Sequence, residues 1–220
     1  MTLQLSQHTF WDQAAISKQF QDPFYLEELL PFIDPNSLII EYGCGYGRIL
    51  QRLHESGFSN SLGFDFSQGM IQRGTREFPH LQLQHIQHAT LPLANTSVDC
   101  AIISTVLCCI PDEAYQVAVI NEIHRILKPG AALYLTDFLL SDTPHMQQKY
   151  QKDLAKYNEY GVYQTTEGAV VRHFTPEHVQ KLLKQFDTAW YREEEFMTMN
   201  NNPVKTFHGV YLTRHSTQRQ

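Results

Sequence analysis

Ile39-Ile40-Glu41-Tyr42-Gly43-Cys44-Gly45-Tyr46-Gly47-Arg48 is the stretch that decides the fold. An apolar run carries an acid, three glycines follow at alternating positions, and a helical pattern starts at Arg48. Ile49, Leu50 and Leu53 share one face of that helix, and Gly57 is placed to end it. Glycine has no Cβ, so a chain built this way turns sharply from strand to helix and brings its backbone close to a ligand. The dinucleotide fingerprint G-x-G-x-x-G is not met. The third glycine arrives one residue early, Arg48 stands where that pattern has glycine, and Glu41 is foreign to it.

Outward from this turn, short β-like runs alternate with helical patterns, the signature of a sheet covered by helices. The spacing predicts strands over 38–42, 61–65, 81–85, 98–104 and 131–136. The 98–104 run is almost continuously apolar, as a central parallel strand covered on both faces should be. Helices are predicted over 67–78 and from Pro111-Asp112-Glu113. The latter carries Ala114, Val117, Ala118, Ile123, Ile126 and Leu127 and stops at Lys128-Pro129-Gly130. Thr175-Pro176-Glu177 opens a last helix bearing Val179, Leu182, Leu183 and Phe186, with Thr as cap and Pro at the first helical position. Late strands at 189–199 and 205–212 read as an antiparallel edge hairpin joined by Asn200-Asn201-Asn202-Pro203, and only the last few residues look disordered. Phe10-Trp11-Asp12 with Ala14, Ala15, Ile16 and Phe20 reads as an amphipathic N-terminal helix. There are no internal repeats.

The 220 residues carry 17 Lys+Arg against 23 Asp+Glu, a formal charge of -6. Phosphate contacts need a cationic face, so this balance argues against nucleic-acid or membrane-surface partners and for a small-molecule substrate. No window approaches the roughly 18 apolar residues of a membrane span, and Met1-Thr2-Leu3-Gln4 lacks a signal-peptide pattern; the reading is a cytoplasmic monomer or homodimer. Cys44, Cys100, Cys108 and Cys109 have no C-x-x-C spacing, and the 11 histidines form no H-E-x-x-H, so no metal site is expected and the thiols read as small packing residues.

Over about residues 35–137 the chain resembles the class I S-adenosylmethionine-dependent methyltransferases. Four ordered motifs carry the resemblance: E-x-G-x-G-x-G at 41–47, G-F-D-x-S at 63–67 with Met70 behind it, Leu91-Pro92-Leu93 before Val98-Asp99, and Leu127-Lys128-Pro129-Gly130-Ala131. The resemblance implies an α/β, Rossmann-like fold: a seven-stranded, mostly parallel sheet with an antiparallel last strand and helices on both faces. It also implies S-adenosylmethionine as cofactor and methyl transfer to a small molecule by in-line displacement. Gly43, Gly45 and Gly47 would then shape the cofactor loop, Glu41 act near the methionine ammonium, Asp65 hold the ribose, and Phe66 and Met70 flank the adenine. His88-Ala89 stands where relatives often have Asp-Ala against the adenine, and Ser104 begins the segment that lines the methyl channel in relatives.

The division expected is one domain. Residues 1–30 form N-terminal lid helices, 35–137 the cofactor core, 138–174 a substrate-covering insertion, and 175–214 the last helix and edge hairpin. Asp137 ends a buried strand at the site mouth, as a reactive acid or a cap. In the insertion, Tyr157, Tyr160 and Tyr163 are candidates to line an aromatic pocket, and Arg172-His173 to meet an anionic substrate, against the alternative of a solvated, partly helical flap. Two other readings stay open: a non-catalytic cofactor-binding regulator and a nicotinamide-dependent oxidoreductase.

Overall fold

The computed structural model describes residues 3–197 and 203–214. Seven strands form one sheet in the order β3-β2-β1-β4-β5-β9-β8. They are β1 (Ile39–Tyr42), β2 (Ser61–Asp65), β3 (Gln82–His85), β4 (Val98–Ser104), β5 (Leu127–Leu139), β8 (Phe186–Met197) and β9 (Pro203–Thr213). The five on the β3 side run parallel, and β9 lies antiparallel between β5 and β8. A parallel neighbour requires a crossover, and the helices between these strands supply it. The strands at the centre are buried on both faces, β1 at all four residues, which is why they are continuously apolar rather than alternating.

Strand order reverses between β1 and β4, because β2 lies on one side of β1 and β4 on the other. That switch point leaves a crevice at the carboxyl ends of the two strands, where the glycine turn and the 104–106 segment emerge.

Helix α3 (Arg48–Glu55) buries Ile49, Leu50 and Leu53, and α4 (Gln68–Glu77) is capped by Ser67 Oγ, which accepts from Met70 N at 3.1 Å. The expectation for the next helix is corrected in detail. α5 (Glu113–Ile126) buries Val119, Ile120, Ile123 and Ile126, while Ala114, Val117 and Ala118 face solvent and Leu127 already belongs to β5. Lys128-Pro129-Gly130 is absorbed as an irregularity inside β5. Between the Val98↔Leu127 and Cys100↔Ala132 pairs, Asp99 alone faces residues 128–131, and Lys128 Nζ reaches Asp99 Oδ1 at 2.6 Å. Helix α7 (Pro176–Leu182) is capped by Thr175 Oγ1 as predicted. The asparagine link at 200–202, Met199 and residues 215–220 lie outside the described residues.

The insertion has its own structure: helix α6 (Pro144–Tyr157), then a small hairpin of β6 (Val162–Gln164) and β7 (Val170–Arg172). Leu140 N donates to Phe174 O at 2.8 Å and Phe174 N to Phe138 O at 2.9 Å, closing the insertion at its base. Helix α1 (Leu3–Ala14) lies against α4, so close that a Cβ on Gly69 would sit 3.0 Å from Asp12 O. Among the described residues no helix is long and apolar enough to cross a membrane.

Candidate functional site

Gly43, Gly45 and Gly47 all adopt left-handed backbone, with φ of 74°, 54° and 88°. At Gly43 a side chain is barred twice, since its Cβ would also lie 2.3 Å from Val106 Cγ2 at the end of β4. The turn is tied to β2 by hydrogen bonds. Gly43 N and Cys44 N donate to Phe64 O (2.7 and 3.1 Å), and Gly45 N donates to Asp65 Oδ2 at 2.8 Å. Asp65 Oδ1 accepts from Ser67 N at 2.7 Å, so one carboxylate holds both the glycine loop and the start of α4.

A cleft of about 610 Å³, open to solvent, lies over this turn. Glu41, Gly43, Gly45, Asp65, Met70 and Ser104 line it, together with Phe66, which stands beside Asp65. Of the predicted cofactor set, Gly47 sits behind the loop as the residue that starts α3, and the exposed His88 and the half-buried Ala89 are not on the wall. Both Ala89 and Leu93 instead pack on the main apolar cluster.

The cleft is acidic at its floor. Glu41 is buried, and its Oε2 has no hydrogen-bond partner. Burial raises its pKa well above the usual carboxylate range; Arg48 opposes the shift and Asp65 adds to it. Burial likewise lifts Asp65 to about 6, against the two backbone N–H groups that favour its charged form. Ser104 Oγ is a second buried polar atom without a partner. Orphaned buried groups are costly, and two of them at one crevice mark a surface built for a ligand.

Residues not singled out from sequence complete the walls. Arg48 lines the cleft and donates from Nη2 to Asp22 O at 2.9 Å; Asp22 lines it too, its pKa raised by burial. Phe20 stacks on Tyr46 with centroids 5.5 Å apart and covers Gly45. Arg48 was legible at the end of the glycine motif. Phe20, placed by its apolar spacing on the N-terminal helix, lies instead in the irregular segment beyond α1, which ends at Ala14 and leaves Ile16 exposed; Asp22, in the same segment, has no periodic or motif signal. Thr105 holds φ of 53°, rare for a β-branched residue, at the junction where β4 leaves the sheet.

Trp11, on α1, lines this cleft and a second, larger one of about 1190 Å³, also open to solvent, that shares Phe20, Asp22, Thr105 and Cys109 with the first. Helix α1 thus supplies wall to both clefts, through Trp11. Asp12 Oδ1 accepts from Ser67 Oγ (2.7 Å) and Gly69 N (2.9 Å), fixing α1 to the start of α4. Gln7, buried and unremarked in the sequence, pairs with β7 as a strand would. Its Nε2 donates to Val170 O (2.6 Å) and Cys109 O (3.1 Å), and its Oε1 accepts from Val170 N (3.1 Å).

The second cleft runs between α1 and the insertion, with Phe10, Phe138, Met146 and Val171 among its apolar walls. Of the candidates named from sequence, it receives Tyr163 and His173. The His173 ring is buried, stacks on Phe138 at 5.3 Å, and is kept neutral by burial and by Lys149, which lower its pKa to about 3. Tyr160 is 44% exposed and Tyr157 also lies off the wall. Arg172 points elsewhere. Its Nη2 pairs with Glu159 Oε1 at 2.9 Å and its Nη1 donates to Pro111 O at 3.3 Å, so its charge is spent inside the protein. Asp137 is wholly buried off both clefts, where its carboxylate accepts from Cys108 N (3.0 Å) and Phe138 N (2.9 Å); burial raises it to about 7. It braces the 107–109 turn, the capping alternative. Cys108 is buried beside Cys109, Sγ to Sγ 3.6 Å, and burial raises its pKa far above the thiol range. Among the described residues no group of three or more His, Cys, Asp or Glu is placed to hold a metal ion.

Residues 40–135 match the family described as methyltransferase domain. The chain is 31% identical over 134 residues to an uncharacterized 37.1 kDa protein from a transposon of Streptomyces fradiae, covering 56% of this chain and 38% of that one. It is 27% identical over 126 residues to a demethylmenaquinone methyltransferase of Lysinibacillus sphaericus, covering 54% of this chain and 52% of that one. The chain thus spans about half, or less, of the length of these relatives. A SAM-dependent methyltransferase structure from Methanosarcina mazei superposes with a TM-score of 0.82 over 89% of this chain and all of that one, at 22% identity, a likeness of fold.

Proposed function

We propose that this chain, whose residues 40–135 match the methyltransferase-domain family, is a class I S-adenosylmethionine-dependent methyltransferase that binds S-adenosylmethionine over the glycine turn and directs its methyl group to a small molecule in the adjoining cleft. One observation carries the reading: the buried, unpartnered Glu41 Oε2 at the floor of a cleft whose wall also bears the Asp65 carboxylate. An orphaned acid is a poor structural element and a good partner for a cation.

The residues present fit the group. Glu41 is matched to an ammonium, and Arg48 on the same wall to a carboxylate, so an amino-acid zwitterion finds both charges complemented. Asp65, with one lone-pair direction of each oxygen taken by backbone N–H groups, keeps acceptor capacity for a vicinal diol. Phe66 and Met70 offer apolar contact to a base. When bound, the cofactor supplies a methyl group on a sulfonium, a leaving group that needs no protonation, for in-line displacement by the acceptor.

The protein's part is then alignment and exclusion of water. Trp11, Phe20 and Thr105 belong to both clefts, so an acceptor in the second lies next to a ligand in the first. Aromatic faces of Trp11 and Phe20 are suited to a cationic centre between them. The name of the Lysinibacillus relative, a demethylmenaquinone methyltransferase, supports an acceptor of small-molecule type.

Isothermal calorimetry with S-adenosylmethionine and with NADH tests the binding half. Binding of the first alone is expected, and NADH binding without S-adenosylmethionine binding overturns the reading. Formation of S-adenosylhomocysteine across a panel of small acceptors tests the transfer. Tight cofactor binding with no turnover on any member points to the non-catalytic alternative.

A further inference from the structure

Resting on the reading above, we propose that Tyr163 is the residue that recognises the methyl acceptor, by donating its hydroxyl hydrogen to an oxygen of a planar, largely apolar molecule such as a phenolate or a conjugated ketone.

The direction of that hydrogen follows from the partners of Tyr150, His173 and Tyr163. Tyr150 is fully buried, and its Oη already accepts from Ser141 N at 3.2 Å. Its own hydrogen needs an acceptor, and the remaining partner is His173 Nδ1, 2.8 Å away. Nδ1 is therefore the unprotonated nitrogen. A neutral imidazole then carries its hydrogen on Nε2, which donates to Tyr163 Oη at 3.0 Å. The opposite order would leave the Tyr150 hydroxyl hydrogen buried without an acceptor.

Tyr163 thus receives a hydrogen bond from His173 and has its own hydrogen to give. Its Oη has no second partner among the described residues, and the side chain forms part of the wall of the second cleft. Two more donors on residues of this wall lack protein acceptors: Trp11 Nε1 and Thr165 Oγ1 are buried and unpartnered. A wall with spare donors and apolar, aromatic neighbours selects a flat molecule with acceptor oxygens. The wall carries two acids, Asp22 and Glu167, against two cations, Lys18 and Lys149, and it is Lys149, whose Nζ lies 5.6 Å from the Tyr163 ring centre, that favours an oxygen bearing negative charge at that point. His173 and Tyr150 act through Tyr163, as positioning residues.

The test uses 4-nitrophenolate and 4-nitrotoluene, two flat molecules of similar size of which only the first carries a phenolate oxygen. Their dissociation constants are measured on the full chain at a pH where the phenol is ionised, with and without saturating S-adenosylhomocysteine. We expect the phenolate to bind about tenfold or more tightly than the toluene, the value of one hydrogen bond to a charged acceptor. Tyr163→Phe should remove most of that difference and leave 4-nitrotoluene binding unchanged, while melting a few degrees lower but still cooperatively, because the buried His173 Nε2–H loses its acceptor. Equal binding of the two probes, no phenolate binding, or an unaltered ratio in Tyr163→Phe overturns the proposal. A second readout needs no variant. Nitrogen-15 NMR of labelled histidine should find His173 with hydrogen on Nε2, and hydrogen on Nδ1 overturns the assigned direction. Failure of S-adenosylhomocysteine to bind would count against the cofactor reading, and is read separately from the probes.

Discussion

Replacing Asp65 with alanine tests the cofactor site and the architecture of the turn together. The carboxylate accepts from Gly45 N at 2.8 Å and Ser67 N at 2.7 Å. Its removal strands two buried N–H groups, each at a cost of about 1–3 kcal/mol. The loss is offset in part, because the folded protein also bears the burial penalty that lifts this acid to about 6. A net destabilisation of about 1–3 kcal/mol is expected, which for a chain of this size lowers Tm by about 2–4 °C per kcal/mol. On the proposed assignment the ligand would lose its ribose contacts as well, at about 2 kcal/mol or more, so the calorimetric Kd for S-adenosylmethionine should rise about 30-fold or more.

The pH dependence separates the two effects. A carboxyl whose folded pKa is raised from 3.8 to about 6 favours the protonated form in the native state. Its contribution to stability is complete below the unfolded pKa and is lost as pH rises through about 6. Ribose binding needs the ionised form, so cofactor affinity should climb over the same interval, by up to about tenfold per pH unit. Opposed slopes in melting and in affinity, both flattened in Asp65→Ala, are the expected pattern. An unchanged Kd in the variant at pH 7.5 would refute the assignment of Asp65 to the ligand.

Gly43→Ala should be among the most damaging single-methyl additions, since it forces left-handed backbone on alanine and drives Cβ to within 2.3 Å of Val106 Cγ2; a loss of about 2 kcal/mol or more by urea unfolding is expected, and a native midpoint would show that the turn can relax. Arg172→Gln should cost stability, about 1–3 kcal/mol for a pair with one buried partner and one half-exposed, while leaving the dissociation constant for 4-nitrophenolate within twofold; a large loss of phenolate binding would return Arg172 to the substrate site. Gln7→Met keeps the shape and removes three hydrogen bonds to Val170 and Cys109. It should raise the protease sensitivity of α1 and speed cofactor dissociation measured by stopped flow, with a global melting shift smaller than that of Asp65→Ala; unchanged release would uncouple Gln7 from the lid.

The glycine turn and its cleft were legible because the pattern that makes them is local. A strand, three glycines and a helix start occupy ten consecutive residues, and the backbone conformation they need can be met only by glycine at Gly43. Asp65 was equally legible, since it closes the next strand. His88 was named by analogy of position, and the fold leaves it exposed and off the cleft wall, while its neighbours Ile86 and Ala89 face the core. Arg172 looked like a free cation in sequence. Glu159 and the Pro111 carbonyl, 13 and 61 positions away, neutralise it, and no local pattern reports contacts of that range. The same holds for Gln7, whose partners lie 102 and 163 residues on. Helix α5 was misread on three positions for a different reason: Ala114, Val117 and Ala118 are apolar without being on the buried stripe, and apolarity is a one-way guide to burial.

The placement of α1 also constrains how the two clefts are used. This helix meets the cofactor side through Asp12, which is bonded to Ser67 and Gly69, and the acceptor side through Gln7, which is bonded to β7 and the 107–109 turn. Trp11 stands between these anchors and forms wall in both clefts. Displacing α1 to admit a ligand therefore breaks contacts on both sides, and a ligand that packs against Trp11 restores some of them. On the proposed function, saturating S-adenosylhomocysteine is therefore expected to tighten acceptor binding in the second cleft, and an unchanged acceptor dissociation constant would show that α1 does not couple the two sites. The sign of that coupling follows from one helix serving two cavities. Its size is bounded by the five hydrogen bonds through which Asp12 and Gln7 hold the helix, since only contacts that a displacement of α1 breaks can contribute to it.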